Sequence, residues 1–187
     1  KTKIVISILL VAAITSAVYL LSNKQEIPFN PQNKTVYISK KKVGYQLIRN
    51  GKPYLIKGVS GKGQNYSLLQ KIGANSIRIY DVDNLGEILD SAEHYGLSVM
   101  VGLPIPKSKW IKEFYSNPNN TDKLIEKFNA TIDEHKDHPA LLAWCLGNEL
   151  DFPYKPHYTP FYESFNKLLS LIKEKDPVSY CQRAIDM

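Results

Sequence analysis

Apolar and polar positions along this chain follow two rhythms in turn. Short apolar runs at Tyr54–Val59, Ser76–Tyr80, Ser98–Leu103 and Leu141–Leu146 read as strands. Between and after them, apolar residues recur at helical spacing over about Tyr66–Ile72, Leu85–Tyr95, Thr121–Lys136 and Pro160–Lys175. Gly73 and Gly96 stand where helix C-caps belong. Strand and helix patterns that alternate across short links predict a parallel sheet with crossover helices. Ahead of this region, Val36–Ile38 and Tyr45–Ile48 are short β-prone runs. Asn50-Gly51 supplies the positive φ angles of a type I′ turn, so a β-hairpin is expected there.

The first residues follow a different pattern. Ile4 to Leu21 is uncharged and mostly apolar, and Lys1 and Lys3 precede it. That length is near the lower limit of a membrane-spanning helix and exceeds a typical signal-peptide core. No small-x-small cleavage site follows. The expectation is a signal anchor over residues 1–22, a Pro-containing stalk over 23–35 and a globular part over 36–187. The globular part is placed outside the cytoplasm, at the cell surface or in the periplasm, or secreted if the segment is cleaved.

Composition narrows the class. The 187 residues are 43% hydrophobic and 22% charged, a globular balance. The formal net charge of +6 is partly concentrated in Lys40-Lys41-Lys42. No Arg-rich stripe with interleaved aromatics is present, so nucleic acid is not the expected partner. An anionic lipid or cell-wall surface suits the excess better. Cys145 falls inside an apolar strand, and neither cysteine has metal-ligand spacing. No metal and no cofactor is expected.

The chemistry is concentrated in Leu141–Leu150. This apolar run ends in Asn148-Glu149. In a (β/α) barrel the carboxyl end of a buried strand is where chemistry is done. Apolar walls there raise a carboxyl pKa and suit it to donate a proton near neutral pH. Tyr80 follows Arg78 by two and shares its side of the strand. Trp110, in the long link after the third strand, is a candidate stacking platform at the mouth, because apolar C–H faces pack on π-faces. Tyr154 and Tyr158 are weaker candidates, and Trp144 belongs to the core. Gly58-Val59-Ser60-Gly61-Lys62-Gly63 lacks the spacing of a phosphate loop and reads as a Gly-rich βα link.

Three segments carry a family resemblance. Asn50 through Val59 resembles the lead-in to the catalytic barrel of the family 2 glycosidases, and is also similar to that of the β-1,3-glucanosyltransferases. Gly73-Ala74-Asn75-Ser76-Ile77-Arg78-Ile79-Tyr80 resembles their second strand. Asp137-His138-Pro139-Ala140-Leu141 through Gly147-Asn148-Glu149 resembles the run into their fourth. Both belong to the retaining clan whose fold is a TIM (β/α)8 barrel. The resemblance implies that Glu149 is the general acid/base, protonating the leaving oxygen and then deprotonating the acceptor. It implies that Asn148 bonds the sugar 2-hydroxyl, that Arg78 points to the second carboxylate, and that Tyr80 and Trp110 line the sugar site. The substrate would be a β-linked oligo- or polysaccharide, hydrolysed or transferred by a retaining mechanism.

The count of units is short. About four βα units are visible, and a closed barrel needs roughly twice that. In the resembled clan the nucleophile is a Glu at the end of the seventh strand, which this sequence does not reach. Asp81 and Asp83 read as loop or cap residues, and Asp151 is too close to Glu149 in sequence to face it. The expected fold is therefore α/β: a partial TIM barrel after a β-hairpin and an N-terminal membrane helix, truncated and inactive alone. An open four-stranded α/β sheet complete in itself is the rival fold. A non-catalytic, membrane-tethered carbohydrate-binding or scaffold protein is the rival function.

Overall fold

The computed structural model describes residues 36–107, 111–150, 158–177 and 179–183. The expected anchor and stalk lie outside these residues. Among the described residues no helix is long and apolar enough to cross a membrane.

The chain opens with a three-stranded antiparallel sheet, β1 (Val36–Lys40), β2 (Tyr45–Arg49) and β3 (Lys52–Pro53). Asn50 and Gly51 turn β2 into β3 with φ of 50° and 74°, the two positive angles that the Asn-Gly pair predicted. A second, five-stranded sheet follows: β4 (Gly58–Ser60), β5 (Ser76–Ile79), β6 (Ser98–Leu103), β7 (Leu141–Leu146) and β8 (Tyr180–Arg183). All its pairings are parallel, and spatial order equals chain order. Sequential order is the winding of a barrel. A doubly wound open sheet reverses direction at a switch point instead.

Helices fill every crossover. They are α1 (Tyr66–Lys71), α2 (Leu85–His94), α3 (Ile111–Tyr115) with α4 (Pro118–His135), and α5 (Thr159–Lys175). Gly73 and Gly96 end α1 and α2 with φ of 80° and 67°. Helix α4 starts three residues earlier than the apolar pattern suggested. Asn117 caps it by accepting from the Asn119 N–H at 3.1 Å, and Pro118 needs no hydrogen-bonded N–H in the first turn. Four βα units are thus present, and a fifth strand, β8, extends the sheet. The sequence after Asp176-Pro177 begins as a possible fifth strand and then loses its pattern, and β8 falls in that run.

Register divides the sheet into two faces. Ile77 stands level with Val99, Ile79 with Val101 and Trp144, and Leu103 with Leu146; they form one buried core with Leu89, Phe128, Ile132, Phe161 and Phe165 of the helices. The other face carries Ser76, Arg78, Met100, Gly102, Ala143 and Cys145, smaller or more polar residues. Trp144 is core, as expected. Its indole N–H donates to Asp176 Oδ2 at 2.8 Å, and Asp176 Oδ1 accepts from the Ser179 N–H at 3.0 Å. Asp176 is only 2% exposed, so this bridge ties β7 to the chain entering β8 inside the core.

The first barrel strand is shorter than the run Tyr54–Val59 suggested. Residues 54–57 serve as a strap across the amino ends of the strands. Asn75 accepts from the Lys57 N–H at 2.8 Å and donates to the Leu55 carbonyl at 2.7 Å. The Tyr54 hydroxyl donates to the Asn75 carbonyl at 2.7 Å. Arg49 donates to the Pro139 carbonyl at 2.8 Å and lies over the Tyr54 ring. With their backbone groups taken up this way, residues 54–57 do not pair with β5. The strap fastens one end of the sheet and leaves the carboxyl end for chemistry.

Candidate active site

At the carboxyl ends of β5, β6 and β7 the chain brings together Arg78, Tyr80, Lys107, Asn148 and Glu149. The exit from β7 sets their positions. The Gly147 N–H donates to the Leu103 carbonyl at 2.9 Å, the last bond of that ladder. Gly147 then adopts φ 75°, and Glu149 itself has φ 50°. A non-glycine residue in the left-handed region is uncommon and concentrates at functional sites. Leu150 folds back into the core beneath this turn. A Cβ added to Gly147 would lie 2.6 Å from Leu150 Cδ1 and 3.2 Å from Ile105 Cδ1, so the tuck of Leu150 requires glycine here. Two left-handed residues and one apolar anchor thus carry Asn148 and Glu149 past the strand end.

Arg78 Nη2 donates to Asn148 Oδ1 at 3.1 Å, joining residues seventy apart in sequence. The Arg78 guanidinium also sits 5.1 Å from the centroid of Tyr80, a cation–π contact. Tyr80 is 41% exposed, so one face of its ring remains open. Arg78 Nε is buried without a hydrogen-bond partner. Cys145 shares this inner face. Burial pushes its thiol above the ordinary value, and the Arg78 charge offsets part of that rise. A raised thiol is an inert one, as the buried strand position predicted.

Lys107 was not singled out from the sequence. Its Nζ donates to the Asn148 carbonyl at 2.9 Å and stands 3.9 Å from Glu149 Oε2. The signal available was its place in the link after the third strand, beside Pro104 and Pro106. A lone lysine in a loop carries no spacing that marks it.

One expectation is corrected. The Glu149 carboxyl was expected between apolar walls, but it is 82% exposed, with Lys107 as its charged neighbour. The turn at Gly147 carries it beyond the walls of β7. Arg78, expected to point towards a second carboxylate, bonds the Asn148 amide within this chain.

Asp81 and Asp83 are ion-paired loop residues, as read from the sequence. Lys62 Nζ lies 2.7 Å from Asp81 and 3.5 Å from Asp83. Partial burial pushes the Asp81 carboxyl up. The Lys62 hydrogen bond, with the Asp83 N–H and the Lys62 charge, outweighs it and holds the group below its ordinary value. This pairing engages Lys62 with carboxylates rather than leaving the Gly-rich loop for a phosphate. Tyr158 is partly buried and packs against the core. Trp110, Asp151 and Tyr154 lie outside the described residues. Among the described residues no group of three or more His, Cys, Asp or Glu could hold a metal ion.

Sequential parallel strands, with an Asn-Glu pair and an arginine gathered at their carboxyl ends, define a (β/α)-barrel domain with its site at the strand ends. The chain belongs to the glycosyl hydrolases of family 2: the model of that family's TIM barrel domain matches residues 43–184. It is 28% identical to the beta-glucuronidase of Mus musculus over 173 residues, 81% of this chain and 24% of that protein. It is 24% identical to the beta-galactosidase of Arthrobacter sp. (strain B7) over 127 residues, 57% of this chain and 12% of that protein. The beta-D-glucuronidase structure from Dictyoglomus thermophilum superposes with a TM-score of 0.60 at 26% identity, over 80% of this chain and 28% of that one. The beta-glucuronidase of Bifidobacterium dentium gives a TM-score of 0.64 at 21% identity, over 80% of this chain and 26% of that one, and supports the fold. The chain spans about a quarter of the length of the mouse relative.

Proposed function

We propose that this chain carries the acid/base half of a retaining β-glycosidase site, for substrates of the glucuronide or galactoside type. The observation that carries this reading is the hydrogen bond from Arg78 to Asn148, with Glu149 as the next residue at the same strand end. Glu149 protonates the leaving glycosidic oxygen. It then takes a proton from the water or sugar hydroxyl that attacks the anomeric carbon. Asn148 holds the sugar 2-hydroxyl, Tyr80 offers its open ring face, and Trp110 stacks on the sugar. Hydrolysis or transfer follows from whether water or a sugar hydroxyl is the acceptor.

A retaining reaction also needs a nucleophilic carboxylate about 5–5.5 Å from the acid/base. None of the described parallel strands other than β7 runs into a Glu. The 187-residue chain is therefore expected to give no turnover alone. The test is a graft: the aligned segment of the mouse beta-glucuronidase is replaced by this chain's residues 43–184. The graft should hydrolyse an aryl β-glucuronide or β-galactoside, and Glu149→Ala should remove that activity. A folded graft inactive with Glu149 present would overturn the reading.

The exposure of Glu149 favours one other reading, a non-catalytic carbohydrate-binding module. A graft that binds a glucuronide and does not cleave it would select that reading. We further propose that Ile4–Leu21 tethers the domain to a membrane, with the barrel on the extracytoplasmic side. The support is the apolar length of the segment; loss of the chain from membranes in alkaline carbonate would refute it.

A further inference from the structure

Charge and exposed apolar surface are both unevenly distributed along this chain. Between Glu26 and Asp81 the sequence contains no acidic residue, yet it holds eight lysines and two arginines. Every exposed large hydrophobic side chain among the described residues lies within residues 37–80. The two features meet at the tip of the β1–β2 hairpin. Its turn is closed by the Lys41 N–H donating to the Gly44 carbonyl at 3.1 Å. Lys40, Lys41 and Lys42 are consecutive and exposed, and no ion pair among the described residues engages them. Val43 beside them is 92% exposed and Tyr45 is 73% exposed.

Register places these groups together. Ile38 pairs with Leu47 and Lys40 with Tyr45. Directly paired residues share a face, as do residues two apart on one strand. Ile38, Lys40, Tyr45 and Leu47 therefore line one face, and Lys41, Lys42 and Val43 cap its end. A solvated lysine loop does not need a valine at its apex and a tyrosine and an isoleucine behind it. This tip presents three cations within one Debye length, around an apolar point.

We propose that the β1–β2 hairpin tip is a docking surface for an anionic lipid bilayer. The lysines lie among the headgroup charges, and Val43 and Tyr45 enter the interface. Tyrosine suits that depth because its ring is apolar and its hydroxyl stays wet. A lipid surface fits better than nucleic acid: the cations of the tip are lysines, and the aromatics do not form a stacking row. The inference does not depend on the glycosidase reading.

The test uses the full 187-residue chain and co-sedimentation with vesicles. One set is phosphatidylcholine alone; the other carries roughly a third phosphatidylserine. The lysines flanking Ile4–Leu21 and the other basic residues also respond to lipid charge, so the tip is reported by the part of the difference between the sets that the Lys40/Lys41/Lys42 variant loses. Each lysine at an anionic surface is worth about a fivefold change in partitioning, so the set of three should give roughly a hundredfold preference for the anionic vesicles. The variant Lys40→Gln/Lys41→Gln/Lys42→Gln should lose most of it while keeping the circular dichroism of the parent, because all three side chains are exposed. In Val43→Trp, the indole emission added to that of the parent should shift to the blue with the anionic vesicles only. Equal partitioning of the parent between the two sets would overturn the proposal. So would an undiminished preference in the triple variant, which would assign it to other basic residues, or an unshifted emission spectrum in Val43→Trp.

Discussion

Gly147→Ala isolates the turn that positions the candidate acid/base. Two costs act together there. An L-residue at φ 75° carries a left-handed strain of about 1–2 kcal/mol. The new methyl also meets Leu150 Cδ1 at 2.6 Å and Ile105 Cδ1 at 3.2 Å. Both side chains are buried, so relief requires a core shift, and overpacking of this kind costs about 1–3 kcal/mol. Gly73→Ala is the internal control. Gly73 has φ 80°, and an added Cβ would meet nothing within 4 Å, so it carries the strain without the clash. Gly147→Ala should lose about 3 kcal/mol in urea unfolding and Gly73→Ala about half that. For a domain of this size the first loss corresponds to a fall of roughly 6–12 °C in Tm. Equal losses in the two variants would refute the packing of Leu150 under the turn, and with it the reason given for the placement of Asn148 and Glu149.

Other outcomes follow from the same geometry. Asp176→Ala removes the acceptor of the buried Trp144 indole and should cost about 1–3 kcal/mol, read by urea unfolding. Trp144 emission should change with it; an unaltered spectrum and stability would show that the bridge does not hold β7. Hydrogen bonds from Lys175 and Lys136 hold the Asp133 carboxyl below its ordinary value of 3.8. Its contribution to stability is therefore complete above that value and is lost as pH falls through the lower, folded-state value. Asp133→Asn should flatten the acid side of the stability profile below about pH 4, and a profile identical to the parent would count against the α4–α5 clamp. Gly102→Ala places a methyl 2.7 Å from the Ile79 carbonyl oxygen and 2.8 Å from Tyr80 Cα, both backbone. It should destabilise the chain by at least as much as Gly147→Ala, and milder behaviour in thermal unfolding would contradict the close approach of β5 to β6.

The architecture was largely legible because its signals are local. Leu141–Leu146 is apolar on both faces, as a strand between helices and an inner layer must be, and its bounds matched the structure. Phe161, Phe165, Leu168, Leu169 and Ile172 repeat at helical spacing, and all are buried. The strap was not legible. Residues 54–57 carry a strand-like apolar pattern, and only the side chain of Asn75, distant in sequence, diverts their backbone. At the site, Arg78 and Tyr80 stand at the end of β5 and Asn148 just past the end of β7, and strand periodicity is what puts Arg78 and Tyr80 on one face. Lys107 was missed because a contact from a loop to a carbonyl has no sequence period. The exposure of Glu149 was missed because one left-handed turn decides it, and Gly147 alone does not announce the direction of the chain beyond.

The role of Glu149 as proton donor is tested most directly by leaving-group dependence. The graft carrying residues 43–184 is compared with its Glu149→Gln variant on two aryl β-glycosides, one with a dinitrophenolate leaving group and one with a methoxyphenolate. A general acid contributes about 10²–10⁴-fold where the leaving oxygen needs a proton, and little where it does not. Glu149→Gln should therefore slow glycosyl-enzyme formation from the methoxyphenyl substrate by at least about a hundredfold and leave that from the dinitrophenyl substrate nearly unchanged. Equal losses on both substrates would contradict the assignment.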